Sequence, residues 1–199
     1  CADPPVVTFR STFAEAVRLE TVIRSILNYD SAVASAASRM HTAASGRFLA
    51  EMGARRAHES AAIAAARAAF IAGFDATSNL EAGRSWGIPT MGTSAHSFTL
   101  LHDSEKEAFE AQIASMGPDT TLLVDTYDIT SAVKMAVELT GGKVAAVRID
   151  SGDLGSTAVE VRKQLDELGA KQTKIVVTSD LDEYTIAALS AAPVDRFGV

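Results

Sequence analysis

A dense group of polar residues follows one apolar stretch of the sequence. The stretch Val144–Ile149 is typical of a buried strand, and six positions at its end carry five residues that could do chemistry: Arg148, Asp150, Ser151, Gly152 and Asp153. Arginine can bind an anion, carboxylates can hold ribose hydroxyls or Mg²⁺ through water, and glycine lets the backbone approach a phosphate. The alternative is a turn whose aspartate caps a helix at Thr157. The density of charge at a buried strand end favours ligand binding.

A second polar group contains His96. It follows the short apolar stretch Pro89–Met91 and a loop of small residues that includes Thr93. A histidine there could act as a general base or a nucleophile, although a helix-start histidine with a backbone partner is the commoner case. The segment 125–128, Asp-Thr-Tyr-Asp, could orient His96 or bind metal, and its last residue, Asp128, could instead cap a helix at Thr130.

Two further segments could bind anions. Arg55 and Arg56 are adjacent at what we expect to be a helix start, where they would form an anion clamp or a solvated surface pair. The segment 77–79, Thr-Ser-Asn, has the residue types that commonly cap a helix N-terminus. The same hydroxyls and amide could instead bind a carboxylate or phosphate there.

The elements that must position these groups alternate between apolar strands and amphipathic helices. The predicted strands are Pro89–Met91, Leu122–Val124, Val144–Ile149, Lys174–Val177 and Arg196–Val199. The predicted helices are Ala14–Leu27, Ser31–Met40, His58–Ala72, Ser104–Met116, Thr130–Thr140, Thr157–Leu168 and Asp182–Ala191. This alternation predicts an α/β fold with a parallel sheet, either part of a β/α barrel or a doubly wound sheet. The polar groups all follow strands, so we expect them to meet at one edge of the sheet.

Composition excludes several classes of protein. The chain has 199 residues, 47% of them hydrophobic and 22% charged, which is typical of a globular domain. A net charge of −7 argues against nucleic-acid binding, and no apolar run is long enough for a membrane span. The single cysteine permits no disulfide framework within the chain, which fits the cytoplasm. We expect residues 1–13 to be an extended remnant of a second domain, residues 14–199 to form a partial domain, and the chain to be a piece of a longer protein.

Seven segments together resemble one enzyme family. In order they are EMGARRAH, GFDATSNLEAG, GIPTMGTSAHSF, LLVDTYDI, VRIDSGDL, TSDLDEY and DRFGV, and the resemblance covers essentially the whole chain. In this order and spacing they are similar to segments of the nicotinate phosphoribosyltransferases, which are type II phosphoribosyltransferases. The resemblance implies an irregular, TIM-like β/α barrel and a second, β-rich domain. It also implies formation of nicotinate mononucleotide and pyrophosphate from nicotinate and 5-phosphoribosyl-1-pyrophosphate (PRPP), coupled to ATP hydrolysis, in NAD salvage.

The resemblance also implies roles for individual residues. His96 matches the histidine that ATP phosphorylates, Asp128 matches the acid beside it, and Arg148 matches the arginine near the pyridine ring. The other implied substrate-binding residues are Arg55, Ser78, Thr93, Asp150, Asp153, Ser179 and Asp180. Ser179 stands where this family commonly has glycine, and Met52 stands where many relatives have an aromatic residue.

The resemblance leaves more than one function open. Nicotinamide-using relatives carry an aspartate where residues 77–79 lie, whereas Ser78 can donate to a carboxylate, so we prefer nicotinate. Nicotinamide phosphoribosyltransferase, or a non-catalytic protein that binds a phosphosugar or nucleotide, is the alternative. The implied cofactor is Mg²⁺, ATP is a co-substrate, and the expected assembly is a homodimer with shared active sites.

Overall fold

The computed structural model describes residues 6–199, which fold around one parallel β-sheet. The strands are β1 Phe48–Glu51, β2 Ala76–Thr77, β3 Thr121–Leu123, β4 Ala146–Ile149, β5 Lys174–Val177 and β6 Arg196–Gly198. The α-helices are α1 Phe13–Ala44, α2 Glu59–Ile71, α3 Leu80–Trp86, α4 His96–Leu100, α5 Glu105–Met116, α6 Ile129–Leu139, α7 Leu154–Glu167 and α8 Glu183–Ala188. Two 3-10 helices, Gly53–Arg56 and Leu189–Ala191, complete the regular structure.

The strand order determines which loops meet. The six strands lie in the order β2-β1-β6-β5-β4-β3, and every described pair is parallel. From β3 to β6 the order runs in one direction, without the reversal that defines a doubly wound sheet. The loops after β1, β2, β3, β4 and β5 therefore all lie at one edge, which is where the polar groups of the sequence fall.

The buried core explains why the sheet is rigid. Leu122, Val147, Ile175 and Phe197 on the strands have no exposed surface. Helices α6 and α7 cover them with small and branched residues, among them Ala132, Val133, Ala158 and Val161. A strand end anchored in this way holds the following side chains in fixed positions.

The sequence predicted most of the later elements closely. Lys174–Val177 is confirmed to the residue, and β3, β4, β6 and helices α2 and α5 begin and end within a few residues of their predicted bounds. The hydroxyl of Ser104 caps α5 by accepting from the backbone N–H of Glu107 at 3.2 Å, as its spacing predicts.

Other predictions were wrong. The segment Ser31–Met40 was expected to continue the helix Ala14–Leu27, and the two form one 32-residue helix, α1, because residues 28–30 include no proline or glycine. Its bounds are wider than predicted. Strands β1 and β2 were not predicted, and the predicted strand Pro89–Met91 is only a bridge from Thr90 to Thr77. In the predicted extended remnant, residues 6–12 form no strand and residues 1–5 lie outside the described part of the chain, so a second domain there stays a prediction.

Helix α1 is buried along only part of its length. Its second half packs against α2 and α8, and Ala37 and Ala44 are buried there. In its first half Phe13, Val17 and Val22 are exposed. Within residues 6–199, none of the helices has both the length and the apolar character needed to cross a membrane.

Candidate active site

Arg148 is the centre of a polar cluster at the carboxyl end of β4. Its side chain is only 14% exposed. Nε donates to the hydroxyl of Thr178 at 2.7 Å, and Nη1 donates to the hydroxyl of Thr93 at 2.6 Å. Nη2 forms an ion pair with Oδ1 of Asp150 at 2.8 Å. These contacts fix the plane of the guanidinium, which is the condition for directional recognition of a planar anion.

Asp150 completes this arrangement from the other side. Its Oδ1 also accepts from the buried hydroxyl of Thr178, so that hydroxyl accepts from Arg148 and donates to Asp150. Burial alone would raise the pKa of the Asp150 carboxyl. The hydrogen bond from Thr178, the charge and hydrogen bond of Arg148, and the nearby His96 outweigh that effect and hold the pKa below its usual range. Asp150 is therefore a carboxylate at neutral pH.

His96 lies against the same carboxylate. It is the first residue of α4, and its side chain is 38% exposed. Nε2 lies 3.3 Å from Oδ2 of Asp150 and 3.9 Å from Oδ1 of Asp125, and Nδ1 lies 3.2 Å from the hydroxyl of Thr126. Both ring nitrogens thus have polar neighbours, while part of the ring stays accessible. The arrangement suits a nucleophile or base whose positive charge two carboxylates stabilise.

Asp125 is the most deeply buried acid of the cluster. Its side chain is 1% exposed. Oδ2 accepts from the backbone N–H of Asp150 at 2.6 Å and from the hydroxyl of Ser151 at 3.1 Å. In the part of the chain that the structure describes, Oδ1 has no hydrogen-bond partner. A buried, unpaired carboxylate oxygen beside an imidazole favours a positively charged group at that point.

The loop that precedes His96 links two distant strands. Its start is tied to β2, since the N–H of Thr77 donates to the carbonyl of Pro89 and the N–H of Met91 donates to the carbonyl of Thr77, both at 3.0 Å. Two residues after Met91, the hydroxyl of Thr93 accepts from Arg148 of β4. The loop therefore runs along the sheet edge from β2 to β4, and His96 at its end lies next to Asp150.

The two adjacent arginines occupy a different position from the one predicted. They lie in the last turn of the 3-10 helix that follows β1, so the expected helix start was wrong. Arg56 forms an ion pair with Asp180, and both side chains are mostly exposed. No ion pair of Arg55 occurs within the described range, and its side chain is exposed. An exposed ion pair contributes about 1 kcal/mol or less, so Arg56 and Asp180 can exchange partners readily.

Two predicted site residues serve as helix caps. The carboxylate of Asp128 accepts from the N–H of Ser131 at 2.8 Å at the start of α6, and Asp153 accepts from the N–H and hydroxyl of Ser156 at the start of α7. Hydrogen bonds from these serines lower the pKa of both carboxyls. The acids that contact His96 are Asp125 and Asp150, so a role for Asp128 beside His96 stays a prediction.

The remaining predicted residues lie at the rim. Ser78 follows β2, is partly buried, and donates its N–H to the carbonyl of Glu51 at 2.8 Å. Ser179 has φ of 134°, a conformation that favours glycine. This agrees with the glycine that the resemblance leads one to expect at that position.

Sequence reasoning missed several residues of the cluster. Asp125 and Thr126 were noticed only as part of a polar segment, although they are the first two residues after the predicted strand Leu122–Val124. Thr178 occupies the corresponding position after β5, but a lone threonine at a strand end is too common to single out. Glu51 was missed because β1 itself was not predicted.

The fold and site together define a parallel α/β protein with a polar cluster at the carboxyl ends of its strands, where proteins of this class bind ligands. The model of the nicotinate phosphoribosyltransferase (NAPRTase) family matches residues 48–196, which is more than half of the chain. The chain therefore belongs to this family.

Individual relatives agree with this assignment. The chain is 57% identical over 203 residues to nicotinate phosphoribosyltransferase pncB1 of Mycobacterium tuberculosis, covering 98% of this chain and 45% of that protein. It is 39% identical to the nicotinate phosphoribosyltransferase of Bacillus subtilis, covering 98% of this chain and 41% of the relative. The chain thus spans somewhat less than half the length of these relatives.

Solved structures show the same fold. Nicotinate-nucleotide pyrophosphorylase from Pyrococcus furiosus superposes with a TM-score of 0.81 at 32% identity, covering 86% of this chain and 46% of that one. Human nicotinic acid phosphoribosyltransferase superposes with a TM-score of 0.78 at 27% identity, covering 91% of this chain and 49% of the human chain.

Proposed function

We propose that the protein acts as a nicotinate phosphoribosyltransferase, which forms nicotinate mononucleotide and pyrophosphate from nicotinate and PRPP in NAD salvage. The family and the names of its relatives support this proposal. The observation that carries it is the buried guanidinium of Arg148, held in a fixed plane at the strand ends beside His96 and Asp150. The chain spans about half the length of its curated relatives, so the activity is proposed for the whole protein.

Arg148 and Ser78 support nicotinate, which carries a carboxylate, as the substrate in preference to nicotinamide. A guanidinium has five N–H donors, and the single contact of Nη2, with Asp150, leaves that nitrogen with a second N–H for a ligand. Ser78 presents a hydroxyl that can donate to a carboxylate. An aspartate at that position would repel nicotinate and favour the amide of nicotinamide, which is the alternative substrate.

His96 is proposed to accept the phosphoryl group of ATP. A ring nitrogen attacks the γ-phosphorus, the bond to the ADP oxygen breaks, and the ring becomes positively charged. Asp125 and Asp150, at 3.9 and 3.3 Å from Nε2, stabilise that charge. The partial exposure of His96 leaves room for the approaching phosphate.

Two carboxylates suit the Mg²⁺ that the family implies. In residues 6–199 no group of three or more histidine, cysteine or acidic side chains could hold a metal ion. Mg²⁺ is usually held by one or two carboxylates together with substrate phosphates, and the unpaired Oδ1 of Asp125 beside Asp150 fits that pattern. When bound, Mg²⁺ neutralises charge on the departing pyrophosphate. The protein side chains hold the base and orient His96.

The proposal also covers the architecture, the PRPP-binding residues, the assembly and the location of the protein. We infer that the sheet is part of an irregular, TIM-like barrel, since its strand order runs in one direction from β3 to β6. The other proposed features are binding of PRPP by Arg55 and the rim residues Asp153, Ser179 and Asp180, a homodimer with shared sites, and a cytoplasmic location. The acidic net charge supports small-molecule substrates rather than nucleic acid.

A product assay tests the function. The protein is incubated with ring-labelled nicotinate, PRPP, Mg²⁺ and ATP, and parallel reactions contain nicotinamide in place of nicotinate or omit PRPP. We expect labelled nicotinate mononucleotide only when PRPP is present. Product from nicotinamide at the greater rate would support the alternative, and no mononucleotide from either base would contradict the proposed function.

A further inference from the structure

Glu51 is a buried acid that has no evident part in the chemistry proposed above. It is the last residue of β1 and is 8% exposed. No arginine, lysine or histidine forms an ion pair with it anywhere in the described part of the chain. A buried carboxylate without a cation must be stabilised by hydrogen bonds, so its partners indicate what it does.

The two oxygens of Glu51 hold two different loops. Oε1 accepts from the backbone N–H of Gly53 at 2.7 Å, at the start of the 3-10 helix that carries Arg55. Oε2 accepts from the buried hydroxyl of Thr77 at 2.6 Å, at the end of β2. That hydroxyl in turn accepts from the N–H of Asn79 at 3.0 Å. One carboxylate thus fixes the arginine-bearing turn relative to the loop that contains Ser78.

The turn after β1 lies close against the Glu51 side chain. A Cβ on residue 53 would lie 3.1 Å from Oε1 of Glu51, which is tighter than an ordinary van der Waals contact, so the close approach of the turn favours glycine. The backbone carbonyl of Glu51 also accepts from the N–H of Ser78 at 2.8 Å. Glu51 therefore binds the backbone of both loops, at Gly53 through its side chain and at Ser78 through its carbonyl.

We propose that Glu51 is a positioning residue that sets the distance between the Arg55 turn and the Ser78 loop for substrate binding. This inference rests on the proposed function, because Arg55 and Ser78 are assigned there to PRPP and nicotinate. Glutamine cannot replace the carboxylate. It has one acceptor oxygen for two donors, so either the Gly53 N–H or the Thr77 O–H loses its acceptor.

The test compares Glu51→Gln and Thr77→Val with Glu59→Gln, whose side chain on α2 is 86% exposed. Titration calorimetry with PRPP and with nicotinate is run on each variant below its melting temperature, together with hydrogen exchange of the Gly53 and Asn79 amides. We expect Glu51→Gln to bind each ligand about tenfold more weakly, which corresponds to about one lost hydrogen bond. Both amides should exchange faster, and Glu59→Gln should match the wild type.

The outcomes separate this inference from the proposed function. Wild-type protein that binds neither ligand would contradict the proposed function. If the wild type binds both ligands and the Glu51→Gln and Thr77→Val variants bind them equally tightly, the positioning role is refuted while the proposed function stands. Unchanged hydrogen exchange of the Gly53 and Asn79 amides in the variants would refute it in the same way. A merely structural role would lower the melting temperature without changing the affinity of the folded variant, and that result also counts against a positioning role. If Glu51→Gln does not fold, Thr77→Val, which removes the hydroxyl bound to Glu51, decides the question by the same measurements.

Discussion

Replacement of Arg148 by alanine should abolish most of the affinity for nicotinate. The guanidinium is proposed to bind the nicotinate carboxylate, and a hydrogen bond to a charged group contributes about 1.5–3 kcal/mol. Loss of that interaction weakens binding by about 10- to 150-fold. Arg148→Lys should fall between alanine and wild type, because a single ammonium cannot contact Thr178, Thr93 and Asp150 in one plane.

The same change has a cost in stability that must be measured separately. Arg148→Ala leaves Asp150 without its cation at a site where the two side chains are 14% and 24% exposed. Breaking a buried pair costs about 3–5 kcal/mol, and the partial exposure of Asp150 places this case near the lower value, about 3 kcal/mol. In a chain of this size the melting temperature should then fall by about 6–12 °C.

Arg162→Ala is the matched control. Arg162 is also partly buried, pairs with Asp166 at 2.9 Å, and donates to the carbonyls of Thr173 and Ala170, which precede β5 and so lie toward the opposite end of that strand from the site. Its loss should lower stability while leaving nicotinate affinity unchanged. Calorimetric titration with nicotinate, performed below the melting temperature of each variant, makes the comparison. An Arg148→Ala protein that binds nicotinate as tightly as the wild type would refute the role given to Arg148.

Three further predictions follow from the site. His96→Ala should abolish ATP stimulation of turnover while some basal reaction of PRPP persists; full ATP stimulation in the variant would refute the phosphohistidine. Ser179→Gly should raise the melting temperature by about 2 °C, because glycine tolerates the φ of 134° at this position, and an unchanged or lower value in calorimetry would show that no strain is relieved. Glu105, the first residue of α5, is buried, and Glu105→Gln should stabilise the protein at pH 7–8. Burial first, and then the charges of Asp128 and Asp125, raise the pKa of the Glu105 carboxyl. The folded state therefore loses stability as this carboxyl ionises with rising pH, so the gain should disappear below about pH 4, the ordinary range of a glutamate, and a gain independent of pH would contradict this reasoning.

The sequence predicted the elements whose patterns are local. Strand β5 is four consecutive residues with an apolar run after Lys174, and α5 begins at a serine cap, so both could be located from spacing alone. Strand β2 is two residues long, and β1 contains a buried glutamate, Glu51, so neither shows the apolar pattern of a central strand.

The site was predicted as a set of positions rather than as a network. The polar residues after β3, β4 and β5 were expected to converge, and Arg148, Asp150 and His96 do. Which acid contacts His96 depends on the path of residues 89–95 across the sheet edge, and no local pattern encodes that path. For the same reason Asp128 was expected beside His96, whereas its side chain caps α6.

The most direct test of the account is a crystal structure of the protein soaked with nicotinate and PRPP. We expect the nicotinate carboxylate to contact Nη2 of Arg148, with the ribose phosphate on the same strand ends and His96 facing it. Density for either ligand on another surface, such as the exposed first half of α1, with the Arg148 cluster left unchanged, would contradict the central claim.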